Sequence, residues 1–398
     1  MSSPKRVSES VDAGLRLPPL AVYIHLPWCV RKCPYCDFNS HEQRVEAGQQ
    51  QHYVDALLRD LDYSAAQIAG REIVSVFFGG GTPSLFSAAA IERILAGLWR
   101  TVTPVADVEI SLEANPGAVD AGRFRGYRQA GVNRLSLGVQ SFQDSSLQRI
   151  GRIHDGEQAL QAVAIARDSG FDNINIDLMY GLPQQDVSEA LADLDTAIRL
   201  QPQHLSWYQL TIEPNTVFYS RPPPLPDQDQ LWLMQQQGIE LLARHDFRQY
   251  EVSAFSRDGY ACRHNSNYWQ FGDYLGLGAG AHSKLTATDG RITRIERHRM
   301  PHSYMRDAGS VAAISRDYTL PLAERGFEFM LNALRLKQGV ALELFVRRTG
   351  LPLDSIMEPL QRARRAGLLL LEDGVVRASG KGYRYLNDLQ ICFMPEPA

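Results

Sequence analysis

Between Ala21 and Ile212 the chain alternates two patterns of apolar and polar positions. Six short runs are apolar or β-rich almost throughout: AVYIHLP (Ala21–Pro27), IVSVFFGGG (Ile73–Gly81), VEISLEANPG (Val108–Gly117), NRLSLGVQSF (Asn133–Phe142), NINIDLMYGLP (Asn173–Pro183) and HLSWYQLTI (His204–Ile212). They read as buried strands. The segments between them repeat at helical spacing. Tyr53, Leu57, Leu61, Ser64 and Ile68 form one stripe, and SAAAIERILAGLW, DAGRFRGYRQAG, GEQALQAVAIARDSG and DVSEALADLDTAIRL form others. Gly131 stands where the third of these helices should stop. Continuous apolar strands separated by helices predict a parallel sheet covered by helices. The expected fold is therefore α/β, a partial (β/α)6 barrel, with a doubly wound open sheet as the alternative.

The pattern changes after residue 320. FEFMLNALRL (Phe327–Leu336), LELFVRRTG and LDSIMEPLQRARRAGLL read as helices, LLLEDGVVRAS as a hairpin turning at Asp373-Gly374, and GKGYRYLNDLQ as a last helix. This predicts a C-terminal α+β winged-helix-like domain. The expected divisions are an N-terminal flexible segment 1–20, a barrel 21–250, a barrel extension 251–320 and the C-terminal domain 321–398.

Lys and Arg total 41 against 45 Asp and Glu, a balance that gives no electrostatic case for nucleic acid. Arg362, Arg364 and Arg365 would be the contacts if the winged-helix-like unit bound it, but basic helix faces are commonly just solvated. Five cysteines cannot make a disulfide framework in a chain of 398 residues. The first twenty residues lack the apolar core of a signal peptide, and no apolar run approaches a membrane span. A cytoplasmic protein with free thiols is expected.

Three of those thiols, Cys29, Cys33 and Cys36, fall in YIHLPWCVRKCPYCDFNS, directly after the first strand. Thiolates suit zinc and iron–sulfur clusters. Structural zinc wants four ligands, which His25 or His41 would complete. A CxxxCxxC loop serves a four-iron cluster differently, since three thiolates leave one iron open to another ligand. The remaining polar groups gather at the strand C-termini, where parallel α/β folds place ligands. Gly79, Gly80, Gly81 and Thr82 follow the second strand, Glu113 and Asn115 the third, Gln140 the fourth, and Asp177 lies on the fifth. A glycine triplet lets backbone approach a ligand and present N–H groups to it.

The cysteine loop resembles that of the radical S-adenosylmethionine (radical-SAM) superfamily, in which the open iron of a [4Fe–4S] cluster holds SAM. Together with FFGGGTPS, EANPG, RLSLGVQSF and NIDLMYGLP, it is similar to oxygen-independent coproporphyrinogen III oxidase over nearly the whole chain. The resemblance implies SAM-binding roles for Tyr23, Gly80, Gly81, Thr82, Glu113, Gln140, Arg152 and Asp177, with Thr211 a looser match. The decarboxylating enzymes carry another cysteine two residues after the third; this chain has Phe38. That departure and the short N-terminal segment resemble the HemW-type heme chaperones, which bind heme and pass it to respiratory proteins.

HNSNYW (His264–Trp269) matches a segment associated with heme in those proteins. It implies His264 as the heme ligand, with Cys262 and His282 next in line; imidazole is a common axial ligand. The following GLGAGAHS reads as a close-approach loop near the cluster. The implied cofactors are a [4Fe–4S] cluster, SAM and heme. The implied partners are heme-acceptor proteins, including membrane respiratory enzymes, and an electron donor. A homodimer and peripheral attachment to the inner membrane stay open. The alternative function is an oxygen-independent coproporphyrinogen III dehydrogenase, which Phe38 argues against.

Overall fold

The computed structural model describes residues 17–43, 46–118 and 120–395, so most of the expected N-terminal segment lies outside the described residues. The first strand, β1 (Leu20–Leu26), is followed by α1 (Ala47–Ile68), β2 (Glu72–Gly80), α2 (Ala88–Thr101), β3 (Thr103–Ala114) and α3 (Ala121–Ala130). Then come β4 (Arg134–Gln140), α4 (Gly156–Asp168), β5 (Ile174–Tyr180), α5 (Val187–Arg199) and β6 (His204–Gln209). Local chemistry sets several of these limits. Asp155 with Gln158 and Asp186 with Glu189 form capping boxes that satisfy the first free N–H groups of α4 and α5. Gly131 ends α3 at φ 110°, a left-handed conformation that needs no Cβ.

The extension adds α6 (Gln228–Arg244), β7 (Arg248–Gln249), β8 (Ala254–Ser256), α7 (Arg263–Trp269), β9 (Asp273–Leu277), β10 (His282–Thr286), β11 (Ile292–Arg297), α8 (Pro301–Asp307) and β12 (Ile314–Thr319). All twelve strands form one sheet in the order β12-β11-β10-β9-β1-β2-β3-β4-β5-β6-β8-β7. From β9 to β6 every pairing is parallel, and both margins are antiparallel. Strands β1 to β6 lie side by side in chain order, so every crossover steps in the same direction. A doubly wound sheet would reverse that direction, so the barrel-type wall is the one adopted. The seventh parallel strand, β9, was not legible in the sequence. Its DYLGL is short, and its place beside β1 comes from a segment about 250 residues downstream.

One apolar core fills the space between this sheet and its helices, including Ile24, Val76, Leu112, Leu137, Ile176 and Leu205. A second core belongs to the C-terminal helices α9 (Leu322–Ala333), α10 (Leu342–Thr349) and α11 (Asp354–Arg365) and a small sheet of β13 (Val340–Ala341), β14 (Leu369–Glu372) and β15 (Val375–Ala378). The hairpin turns at Asp373 and Gly374, both with positive φ (48° and 75°), as a two-residue turn of this kind requires. The single last helix expected from GKGYRYLNDLQ is two, α12 (Gly380–Arg384) and α13 (Leu386–Ile391). Tyr385 breaks it at ψ 51°. No helix among the described residues is long and apolar enough to cross a membrane.

Candidate functional site

The cysteine loop is held at both ends. Trp28–Cys29 pairs with His41–Glu42 in a two-stranded ladder, and Thr82 N–H donates to the Trp28 carbonyl at 2.8 Å. The three thiols face a cavity of about 330 Å³ at the C-terminal ends of β1 to β6. Thr82 Oγ1 donates to Cys29 Sγ at 3.6 Å, Ser40 Oγ lies 3.6 Å from Cys36 Sγ, and Arg152 Nη1 donates to Cys33 Sγ at 3.5 Å. Burial pushes the Cys29 thiol up, and the Thr82 hydroxyl partly offsets this. A metal ligated there would stabilise the thiolate instead.

Across the cavity stand Glu113 from β3 and Asp177 from β5. Glu113 Oε2 accepts the Gly80 N–H at 3.3 Å; Asp177 accepts Ser136 Oγ at 3.1 Å and Asn175 Nδ2 at 2.8 Å. Burial, then the negative charge of Asp177, pushes Glu113 up to about 8, and burial raises Asp177 as well. Two carboxyls held in one cavity with raised pKa values form a site suited to a cation. Gln140, in a left-handed conformation at φ 72°, accepts the Tyr208 hydroxyl at 2.8 Å, and Arg152 donates to the Gly138 carbonyl. Arg152 Nε is buried with no partner among the described residues.

Cys29, Cys33, Cys36, Gly80, Gly81, Thr82, Glu113, Gln140, Arg152 and Asp177 thus share one cavity. Tyr23 does not line it; its ring faces a neighbouring cavity of about 710 Å³. The glycine turn also departs from expectation. The Gly81 N–H is spent on the Leu26 carbonyl (2.8 Å), that of Thr82 on Trp28, and that of Gly80 on Glu113, so these N–H groups are committed within the protein. The glycines answer a packing need. A Cβ on Gly81 would lie 2.5 Å from the Trp28 carbonyl oxygen, and one on Gly80 2.6 Å from the His25 ring. The close-approach loop after β9 packs likewise, since a Cβ on Gly280 would meet Asn39 at 2.4 Å.

His25 and His41 are engaged away from the thiols. His25 Nδ1 accepts the Tyr23 hydroxyl (3.0 Å), its Nε2–H donates to the Asn39 carbonyl (2.9 Å), and His41 Nε2 lies 3.3 Å from Asn39 Oδ1. Thr211 is exposed and outside the cavity, whose wall there is Ser206 and Tyr208. Tyr35, Ser136, Ser206 and Tyr208 are lining residues that the sequence reading missed; period-two alternation along β6 could have flagged Ser206 and Tyr208 together.

His264 lines neither cavity. It is 2% exposed, shares a hydrogen bond through Nδ1 with Ser75 (3.1 Å), and lies against the Phe77 and Tyr268 rings at 5.0 and 4.9 Å between centroids. Its Nε2 is buried without a partner among the described residues. Burial, then the nearby Arg134 charge, brings it down to about 3. Cys262 is fully buried, its Sγ 3.5 Å from Glu109 Oε1.

Comparison with known proteins bears on the family and the fold. The sequence model of the Radical SAM superfamily matches residues 23–197, and that of the HemN C-terminal domain matches residues 320–385. The solved coproporphyrinogen III oxidase (HemN) from Escherichia coli, described as a radical SAM enzyme, superposes with a TM-score of 0.80 at 23% identity, over 96% of this chain and 91% of that one. The fold, then, is that of a radical-SAM protein. The heme chaperone HemW of Escherichia coli (strain K12) is 48% identical over 96% of this chain and 100% of its own. That of Bacillus subtilis (strain 168) is 31% identical over 94% and 99%. The chain belongs to the HemW heme chaperone family.

Proposed function

We propose that the protein is a heme chaperone that holds a [4Fe–4S] cluster on Cys29, Cys33 and Cys36, binds SAM beside it, and carries heme to acceptor hemoproteins. One observation carries the cofactor part: three thiols, two carboxyls of raised pKa and a buried arginine line a single cavity at the strand ends. When bound, the cluster supplies an iron with no protein ligand and a source of single electrons.

The chain's own residues do the rest. Glu113 and Asp177 offer carboxyl oxygens to the cationic and hydroxyl groups of SAM. Arg152 offers an unpartnered Nε to its carboxylate, an anion that a planar guanidinium fits. Tyr208 holds Gln140, and Asn175 and Ser136 hold Asp177. The heme part of the reading is supported by full-length identity to heme chaperones and by Phe38 in place of a further cysteine. The acceptors, an electron donor and a place against the inner membrane belong to the same reading.

The test is anaerobic reconstitution with iron and sulfide, then heme titration followed by absorbance, with coproporphyrinogen III turnover alongside. Iron–sulfur absorption that is lost in Cys33→Ser, saturable heme binding and no release of CO2 are expected. Turnover with CO2 release would favour the decarboxylase instead.

A further inference from the structure

The chamber of about 330 Å³ that receives the thiols is small for a macrocycle in addition to SAM. The neighbouring cavity, at about 710 Å³, lies well within the range of roughly 300–1,000 Å³ that holds sizeable ligands. The two share Gly80, Glu113 and Phe38 as a wall, and Phe38 is 62% exposed. An exposed phenylalanine on a cavity rim offers an apolar face that water does not reward.

The far wall of the larger cavity is the β10–β11 hairpin. His282 pairs with Glu296, and the Gly280 N–H donates to the His298 carbonyl (2.9 Å). All four residues therefore present the same face, because side chains alternate with period two, and all four line the cavity. Beside Gly280 the wall is completed by Asn39, whose side chain takes the place a Cβ there would occupy. Neither the His282 nor the His298 imidazole has a side-chain hydrogen bond among the described residues, whereas both nitrogens of His25 are engaged. His282 also lies near enough to His25 to act on its titration, while His298 acts on Asp307 to one side. Arg299 is exposed on the same wall, with no carboxylate partner among the described residues. Tyr268, from the HNSNYW segment, lines the cavity where His264 does not.

Resting on the heme-chaperone reading, we infer that heme sits in this second cavity, with His282 as its axial ligand, Arg299 facing its propionates and Phe38 packed against the macrocycle. His264 then acts as a positioning residue. It stacks on Phe77 and meets Tyr268 edge-on, holding the tyrosine in the cavity wall. The arrangement places heme one side-chain layer from the cluster chamber.

The test uses the full chain with its cluster reconstituted, titrated with hemin and followed by absorbance and electron paramagnetic resonance. His282→Ala should weaken heme binding by roughly ten-fold or more, a loss of about 1.4 kcal/mol. It should also remove the imidazole-ligand spectrum, which added imidazole restores, and leave cluster absorption and SAM binding intact. His264→Gln should keep the axial spectrum with a smaller change in affinity. Wild-type affinity and spectrum in His282→Ala would overturn the assignment. So would loss of the axial spectrum in a folded His264→Gln that imidazole restores. If the wild type fails to bind hemin saturably, the chaperone reading itself falls, a result distinct from either.

Discussion

On the proposed reading, Glu113 serves binding at the expense of stability. Its carboxyl is held near 8, so the folded protein binds a proton there that the unfolded chain releases above the ordinary carboxylate range. Between about 4.5 and 8 the folded state holds more protons, so stability falls as pH rises through that window. Glu113→Gln should melt like the wild type near the acid end and above it at pH 8.5, while losing SAM affinity; parallel melts and SAM titrations at the two pH values check both. His264 has the opposite sign. Its folded pKa lies below its unfolded one, so the stability it contributes is present above about 6.5 and is lost as pH falls toward 3. The wild type should therefore lose more stability than His264→Gln on going from pH 7 to pH 4.5, which denaturant melts would resolve. That the three cysteines gather at one place was legible because their spacing is local. The burial of His264 was not, because a histidine in a seven-residue helix can face either way, and Ser75 and Phe77, from a distant strand, settle the direction.

At the scale of elements, buried ion pairs join parts that are distant in sequence. Asp273, at the head of β9, is fully buried and accepts from Lys284 Nζ at 2.9 Å and Arg71 Nη1 at 2.8 Å. It thereby ties β9 to β10 and to the turn before β2. Lys284, brought down to about 8 by burial against the pull of Asp273, also sits 4.1 Å from the centroid of the Phe271 ring. Asp273→Ala would strand two buried cations and should cost about 3–5 kcal/mol, read as a lower urea midpoint. A parallel clamp joins α1 to β11 and α8. Asp60 accepts Arg297 Nε at 3.0 Å and the Tyr304 hydroxyl at 2.9 Å. Strands β1 to β6 could be read from their apolar runs. The extension strands could not, since β9 to β12 mix charged and apolar positions and owe their pairing to these long-range contacts.

At the scale of the whole molecule, the C-terminal unit is joined to the barrel through its core. Phe271 and Ile292, from the extension, pack in the same cluster as Phe329, Met330 and Phe345. A chain ending at residue 319 would expose that apolar surface, and it should aggregate or lose its cooperative melt, as size exclusion and calorimetry would show. Sequence alone determined the six strand–helix alternations, the cysteine loop and the polar groups that end each strand, because these depend on periodicity and spacing within a few residues. Tertiary structure alone decided that β9 lies beside β1, that the glycine turn packs against the cysteine loop with its N–H groups committed, and that His264 is enclosed while His282 and His298 share an open cavity. Those outcomes depend on which side chains meet across separate segments of the chain, and no local pattern carries that information.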